Sequence, residues 1–315
     1  MDISPRDLTT SLDSLAPRIA LVGPPRDGDL RLIGAALEVR GATTTVVDPD
    51  ETFGAVGASG LTTWPTGGAG GGFDAFLAPY CGPSRSRHAL IDVFEASALP
   101  TLNSMRANLV AEDKWATTRA LARAGLAQPR TILVGASRRL AGTRASAAHS
   151  IGYPVVLKTQ FGYGGTGVAL ARCDDDIERF VTAHAFGKAG ALIISEFYAE
   201  AGGRDFRVVL LDDEVLAIKA RWSGSDAEFR SAVPGNVVTR GEITPAETVL
   251  VRAACRGLGL VYAGVDLMRT AAGSIVIEIN NAPALKQTQR VCGVDLAGAV
   301  AAALLGRIEA ARSAT

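Results

Sequence analysis

Near the C-terminal end, two stretches of strand-like residues face each other across a short turn, and one carries an acid inside an apolar run. Tyr262–Met268 and Ser274–Asn280 read as paired strands around Ala272-Gly273. Side chains two apart on a strand point the same way, so Glu278 and Asn280 share a face. Asp266 interrupts the apolar Val265-Asp266-Leu267 on the neighbouring strand. A buried carboxylate without a partner costs too much to be expected by chance. Three oxygen-bearing side chains converging from two paired strands suit one or two Mg2+ ions, which prefer oxygen ligands. The same pattern also fits the wetted side of an antiparallel sheet, where polar residues alternate toward solvent.

The N-terminal part reads differently. After a tail to residue 17, Ile19-Ala20-Leu21-Val22 is a buried strand ended by Gly23-Pro24-Pro25. A helix follows over Asp29–Arg40, then a strand over Thr43–Val47. This β-α-β order implies a parallel sheet covered by helices. Gly67–Gly72 reads as a surface loop, because no helix start or Lys-Ser/Thr follows it. Phe73–Pro79 is a further strand, Arg85–Ala96 a helix, and Pro100–Asn103 a return to the sheet. Beyond it, Ala111–Ala124 forms a helix, Thr131–Val134 a strand, and Tyr153–Lys158 with Gly167–Ala171 an antiparallel hairpin. A helix covers Asp174–Phe186, and Leu192–Phe197 is a strand. Asp205–Leu211 and Glu214–Ala220 pair around Asp212-Asp213. Thr244-Pro245-Ala246-Glu247 is a capping box for a helix to Arg256. The final helix carries Leu296, Val300, Leu304 and Ile308 on one stripe.

Cations punctuate this pattern. Lys158 ends the apolar run Pro154-Val155-Val156-Leu157 and needs a partner, for which a nucleotide phosphate serves. The turn after it, Gln160 to Gly167, is glycine-rich, so its backbone N–H groups can approach phosphate oxygens closely. The lysine precedes the glycines, unlike a Walker loop, and a plain structural turn remains open. Arg204 and Arg207 open one strand, Arg221 ends the next and Arg230 follows in a loop, all within reach of the carboxylate strands if the sheet brings them together. There they can hold phosphate oxygens, or they can be solvated surface charges.

Bulk properties exclude several classes. With 32 basic and 32 acidic residues, no charge excess points to nucleic acid. Cys81, Cys173, Cys255 and Cys292 are far apart, which fits reduced thiols rather than a zinc or disulfide site. No apolar stretch reaches a membrane span and no leader pattern opens the chain, so the expectation is a soluble cytoplasmic protein. The 315 residues and 48% hydrophobic content suffice for two or three lobes.

Taken together, the segments resemble the ATP-grasp superfamily. Within it they are similar to the ligases related to the ribosomal-protein S6 glutamate-adding enzymes and the lysine-biosynthesis carrier-protein ligases. The resemblance is carried by Asp113-Lys114, Tyr153–Lys158, Gly162–Gly167, Ser195-Glu196-Phe197, Gly203–Arg207, Phe229-Arg230-Ser231, Gly264–Leu267 and Glu278–Pro283. It implies an α/β chain with an N-terminal parallel-sheet domain at 18–107, a central lobe at 108–196 and a C-terminal lobe at 197–315, the two lobes enclosing ATP. It implies that Lys114, Lys158 and the loop residues Gly164, Gly165 and Thr166 contact ATP, with Glu196 and Phe197 on the strand that reads adenine. Asp266, Glu278 and Asn280 would hold two Mg2+ ions, with Mn2+ as a substitute. Arg230 would face the transferred phosphate, with Arg207 and Arg221 nearby.

The implied activity is an ATP-dependent carboxylate–amine ligase working through an acyl phosphate, with a small-molecule carboxylate and an amine, an amino acid or peptide, as partners. A homo-oligomer is left open, and neither nucleic acid nor membrane is expected as a partner. A ring-closing ligase using one substrate is the alternative within the class, and a non-catalytic ATP-binding regulator the alternative outside it. Two segments depart from the pattern. Ala232 follows Phe-Arg-Ser where these relatives carry Asn, with Asn236 later. Ala284–Gln289 is larger and more polar than their glycine-containing loop. Arg204, Lys286, Gln287 and Gln289 are therefore the expected substrate-selecting residues.

Overall fold

The computed structural model describes residues 16–49, 53–57, 60–64, 72–79, 85–162, 167–184, 191–224, 228–231 and 235–314. They gather into two compact units: one runs to Ala78 and adds Ala89–Thr101 and the chain from Ala297, and the other takes Pro79–His88 and Leu102–Leu296. No single helix among the described residues is long and apolar enough to cross a membrane.

In the first unit β1 (Arg18–Val22), α1 (Gly28–Glu38) and β2 (Thr43–Val47) form the expected β-α-β unit, with β1 and β2 parallel in register from Arg18 opposite Thr43. Asp27 caps α1, its Oδ1 accepting the N–H groups of Asp29 and Leu30 at 2.8 and 3.1 Å. Such a cap satisfies donors that the first helical turn leaves open. A hairpin not foreseen, β3 (Phe53–Gly57) with β4 (Gly60–Trp64), follows. The strand expected over Phe73–Pro79 is only β5 (Ala75–Leu77), which pairs with β1 to give the parallel order β2-β1-β5. The stretch Pro100–Asn103, expected to return to the sheet, is not a strand. Pro100 contributes only its carbonyl, which accepts the Phe76 N–H at 3.0 Å. The helix over Arg85–Ala96, α2, is as expected.

In the second unit the helix expected over Ala111–Ala124 is two: α3 (Met105–Glu112) and α4 (Lys114–Arg123). Asp113 divides them because its backbone is extended and its Oδ1 caps α4, accepting the N–H groups of Trp115 and Ala116 at 2.9 and 3.1 Å. Then come β6 (Thr131–Gly135), α5 (Ala141–Ile151), β7 (Val155–Thr159), β8 (Val168–Ala171), α6 (Asp174–Ala183) and β9 (Ala191–Glu196), building an antiparallel sheet in the order β6-β9-β7-β8. Val155, Leu157, Leu192 and Ile194 face α5 and α6 in its core, with Ile177 and Phe180. Arg144 is fully buried beside them, held by both oxygens of Glu178 at 2.8 and 2.6 Å and by two backbone carbonyls.

The larger sheet joins β10 (Arg204–Leu211), β11 (Glu214–Trp222), β12 (Val237–Arg240), β13 (Tyr262–Thr270) and β14 (Gly273–Asn280) in the antiparallel order β12-β11-β10-β13-β14. Asp212 and Asp213 make the expected turn, both at positive φ. One face is apolar. Val208, Leu210, Val265, Leu267, Val276 and Ile279 pack there against α3, α4 and α7 (Pro245–Leu258). Burying each such side chain contributes roughly 1.5–3 kcal/mol. The period of two sends Asp205, Arg207, Lys219, Arg221 and Asp266 to the other face. An irregularity in the pairing, with Asp266 opposite Glu278 but Leu267 opposite Val276, makes Ile277 an extra residue. That bulge lets Val276 and Ile279, three apart, both reach the core.

After β14 comes a helix not foreseen, α8 (Leu285–Cys292), with Leu285, Thr288 and Cys292 buried. The last helix, α9 (Leu296–Ser313), returns to the first unit. Its stripe of Leu296, Val300, Leu304 and Ile308 is buried as expected.

Candidate functional site

The polar face of the five-stranded sheet is an ion network. Arg207 of β10 lies opposite Asp266 of β13 and grips both oxygens of its carboxylate, Nη2 at 2.6 Å from Oδ2. Arg221 of β11 holds both oxygens of Asp205 at 2.7 and 2.6 Å and reaches Oδ2 of Asp266 at 2.9 Å. Ser231 donates to Asp205 at 2.6 Å. Burial pushes the Asp266 carboxyl up, but the two guanidiniums outweigh it and hold the group down at about 2. The wetted-face alternative therefore fails for Asp266, which is 3% exposed and ionised by its partners. Burial pushes Asp205 up, against the pull of Arg221.

Gly264 lets this packing happen. A Cβ there would stand 2.8 Å from both Arg207 Cδ and Pro283 Cβ, so the bare backbone makes room for the guanidinium over Asp266.

Asp266, Glu278 and Asn280 come together as expected. Glu278 lies opposite Asp266, and Asn280 opposite Gly264, with Asn280 Nδ2 donating to the Gly264 carbonyl at 3.4 Å. Among the described residues no three His, Cys, Asp or Glu side chains cluster as a metal cage. The donor set is instead two carboxylates and an amide oxygen, all oxygen, which fits Mg2+. Asp266 accepts three hydrogen bonds from guanidiniums, and a carboxylate has about four lone-pair sites, so a place for a metal remains.

The lysines arrive from the other side. The division at Asp113 puts Lys114 first in α4. There its backbone N–H donates to the Gln160 carbonyl at 3.1 Å and its ammonium reaches the Gly162 carbonyl and Glu278, the latter at 3.7 Å. Asp113 Oδ2 accepts the Gln160 amide at 2.7 Å. The turn after β7 is thus held by the residues that start α4. Lys158, Lys114 and Glu278 line one cleft with Thr131, Ile193 and Ser195. Burial lowers the Lys158 pKa; Glu278 opposes that and Lys114 adds to it. Gly164, Gly165 and Thr166 lie outside the described residues.

Other expected residues are placed less directly. Glu196 ends β9 and accepts from the Tyr198 hydroxyl at 2.8 Å, while Phe197 meets the Phe229 ring edge-on at 5.9 Å. Arg230 is not joined to the Asp205–Arg221–Asp266–Arg207 network by an ion pair. Its guanidinium is taken by Glu228 at 2.9 and 2.7 Å. Gly203, at positive φ, gives that loop its seat, because a Cβ there would fall 2.6 Å from the Glu228 carbonyl oxygen. Ala232 lies outside the described residues, but Asn236 donates to the Ser231 carbonyl at 2.6 Å, so the later Asn returns to the same loop. Arg204 is exposed over the Trp222 ring at 5.2 Å. On α8, Lys286 is exposed, Gln289 is half-buried, and Gln287 faces β11.

Sequence reasoning gave no role to Asp205, Asp113 or Lys219. Lys219 carried a weaker form of the Lys158 signal, a lysine inside a largely apolar strand. The three histidines have structural partners: Glu112 for His88, Asp174 for His149, and the Phe180 carbonyl for His184.

Residues 111–304 match a family model described as a RimK-like ATP-grasp domain. A probable alpha-L-glutamate ligase of Xanthomonas campestris pv. campestris (strain B100) is 33% identical over 273 residues, 86% of this chain and 91% of that protein. Among solved structures, a RimK-domain ATP-grasp protein from Sphaerobacter thermophilus DSM 20745 is similar with a TM-score of 0.69 at 25% identity, covering 91% of this chain and 99% of that one. The ATP-grasp ligase PsnB, complexed with a phosphomimetic variant of its minimal precursor, Mg and ADP, is similar with a TM-score of 0.70, covering 94% and 100%. Its identity is 21%, a likeness of fold alone.

Proposed function

The chain belongs to the RimK-like ATP-grasp family, and from that premise we propose that it joins the amino group of L-glutamate to the carboxylate of a second substrate. It is an ATP-dependent ligase that forms carbon–nitrogen bonds, and its fold is ATP-grasp. The choice of glutamate rests on the relatives named as alpha-L-glutamate ligases. The observation that carries the site reading is the cleft shared by Lys114, Lys158 and Glu278, which sets two cations against the oxygen-donor strand.

Each residue has a proposed task. Lys114 and Lys158 bind the ATP phosphates. Asp266, Glu278 and Asn280 would hold two Mg2+ ions, or Mn2+ in their place, and bound metal supplies neutralisation of the phosphate charge. Arg207 and Arg221 keep Asp266 ionised and add positive charge where the phosphoryl group transfers. Arg230 is poised on Glu228 beside this network, and Glu196 and Phe197 border the adenine. The segment 108–196 acts as one lobe and 197–315 as the other, excluding water that would hydrolyse an activated carboxylate.

The test is ADP release by the full chain with Mg-ATP, L-glutamate and a panel of carboxylic acids and peptides, with products weighed by mass spectrometry. The expected product is glutamate plus acceptor less one water. Condensation of another amine in preference to glutamate would overturn the substrate. Glu278→Gln should lower kcat by at least about 100-fold, the scale of one lost charge interaction at a transferring phosphate. Its half-buried side chain leaves the melting temperature near the parent. Asp266→Ala is a poorer probe, because it strips Arg207 of its carboxylate and leaves that largely buried guanidinium unpaired, at a cost of about 3–5 kcal/mol.

A further inference from the structure

Strand β11 reads Val215-Leu216-Ala217-Ile218-Lys219-Ala220-Arg221, and its alternation sends Ala217, Lys219 and Arg221 to the polar face of the sheet. Lys219 is 1% exposed, directly opposite Arg207 and two residues from Arg221. Those two guanidiniums are engaged by Asp205 and Asp266. Lys219 is not. Its Nζ donates to Gln287 Oε1 at 3.1 Å, a neutral partner. Of Arg207, Arg221 and Lys219, the two arginines are ion-paired with Asp205 and Asp266, whereas the Lys219 ammonium meets an amide. Burial first, then the neighbouring arginines, bring the Lys219 ammonium down to about 8.

An ammonium has donors only, so the amide that meets it must offer its oxygen. The orientation of Gln287 is therefore fixed by chemistry, and its –NH2 points away from Lys219. The backbone beneath is fixed as well. Leu285, Thr288 and Cys292 bury one stripe of α8, Thr288 Oγ1 donates to the Ala284 carbonyl at 2.5 Å, and Cys292 Sγ to the Ile218 carbonyl at 3.4 Å. The result is a half-buried amide with two directed donors, beside a buried ammonium, on the helix that follows β14.

We propose that Lys219 is a positioning residue that locks the Gln287 amide, whose N–H donors then receive a carboxylate of the incoming amino acid. This rests on the reading of the chain as an amino-acid ligase. Lys219 acts through Gln287, and Gln287 sets the preference for an acidic or free-carboxylate amine over its neutral amide. A glutamate in place of Gln287 satisfies Lys219 with an ion pair, yet presents an oxygen to the substrate and repels its carboxylate.

The test uses the full chain, Mg-ATP, the acceptor identified above, and two amines: L-glutamate and its diamide, L-glutamic acid diamide. For Gln287→Glu and Lys219→Met the KM for L-glutamate should rise about 10- to 100-fold, the worth of one charge-assisted hydrogen bond. The KM for ATP should move less than about twofold, and the KM for the diamide should stay flat or fall. Lys219→Arg, which keeps the donor, should recover most of the glutamate affinity. Equal penalties on glutamate, diamide and ATP would show a merely structural lysine and overturn the proposal. If the parent uses glutamate and both variants keep its KM, this inference alone fails. If the parent releases no ADP with glutamate, the amino-acid reading fails and takes this inference with it.

Discussion

Asp113 ends one helix, caps the next and grips the turn that follows β7 through Gln160. Asp113→Ala removes both contacts. The lost cap costs about 1 kcal/mol, and the freed turn no longer holds Lys114 against Gly162. The expected outcome is a melting temperature lower by about 2–4 °C and a raised KM for ATP, checked by thermal melts and ADP-release kinetics. Asp113→Asn keeps an oxygen acceptor and should restore the melt. At this scale the sequence showed which polar residues share a face but not how they are wired. Asp266, Glu278 and Asn280 were legible because strand parity puts them on one face. The bond from Arg207 to Asp266 spans 59 residues, and no local pattern shows which cation answers a buried acid. Lys219 escaped notice for the same reason: its partner, Gln287, sits on a helix that polar composition concealed.

Among the elements, α7 shows how one cap can serve a whole hairpin. Thr244 and Glu247 form the foreseen capping box, each accepting the other's backbone N–H. Glu247 also accepts from Arg269 Nε at 2.7 Å and from the Ser274 hydroxyl at 2.6 Å, binding α7 to β13 and β14. Hydrogen bonds from Arg269 lead the causes that bring Glu247 from 4.5 down to about 2. A carboxylate lowered on folding stabilises the native state above its unfolded pKa and loses that contribution as pH falls through the folded value. Stability should therefore drop between about pH 4.5 and 2, by up to about 2–3 kcal/mol from this group. Glu247→Gln should be less stable at pH 7 yet show a flatter acid limb in urea titrations across that window. The capping box was readable because it is local. The split of α3 from α4 was not, since Ala111 to Ala124 keeps helical composition across Asp113. Nor was α8, whose buried stripe of Leu285, Thr288 and Cys292 contains only one strongly apolar residue.

At the scale of the molecule, the first unit is closed by the far end of the chain. Val300, Leu304 and Ile308 of α9 are buried in the unit that begins with β1. Leu304→Ala should cost about 2–5 kcal/mol. Hydrogen exchange should show that loss in β1, β2 and α1 while β10 to β14 keep their protection. Uniform deprotection would mean that the units unfold as one. The parallel β-α-β start and the antiparallel hairpins were readable from period and punctuation. The membership of α9 was not, because an aliphatic stripe does not say which unit it joins. In the five-stranded sheet, core and ion network occupy alternate residues of the same strands, so one inserted residue in β10, β11 or β13 would exchange them along the rest of the strand. Descendants of such a chain can lengthen these strands only in pairs or through a bulge such as the one at Ile277. Drift in length is thereby steered into the turns and away from the strands.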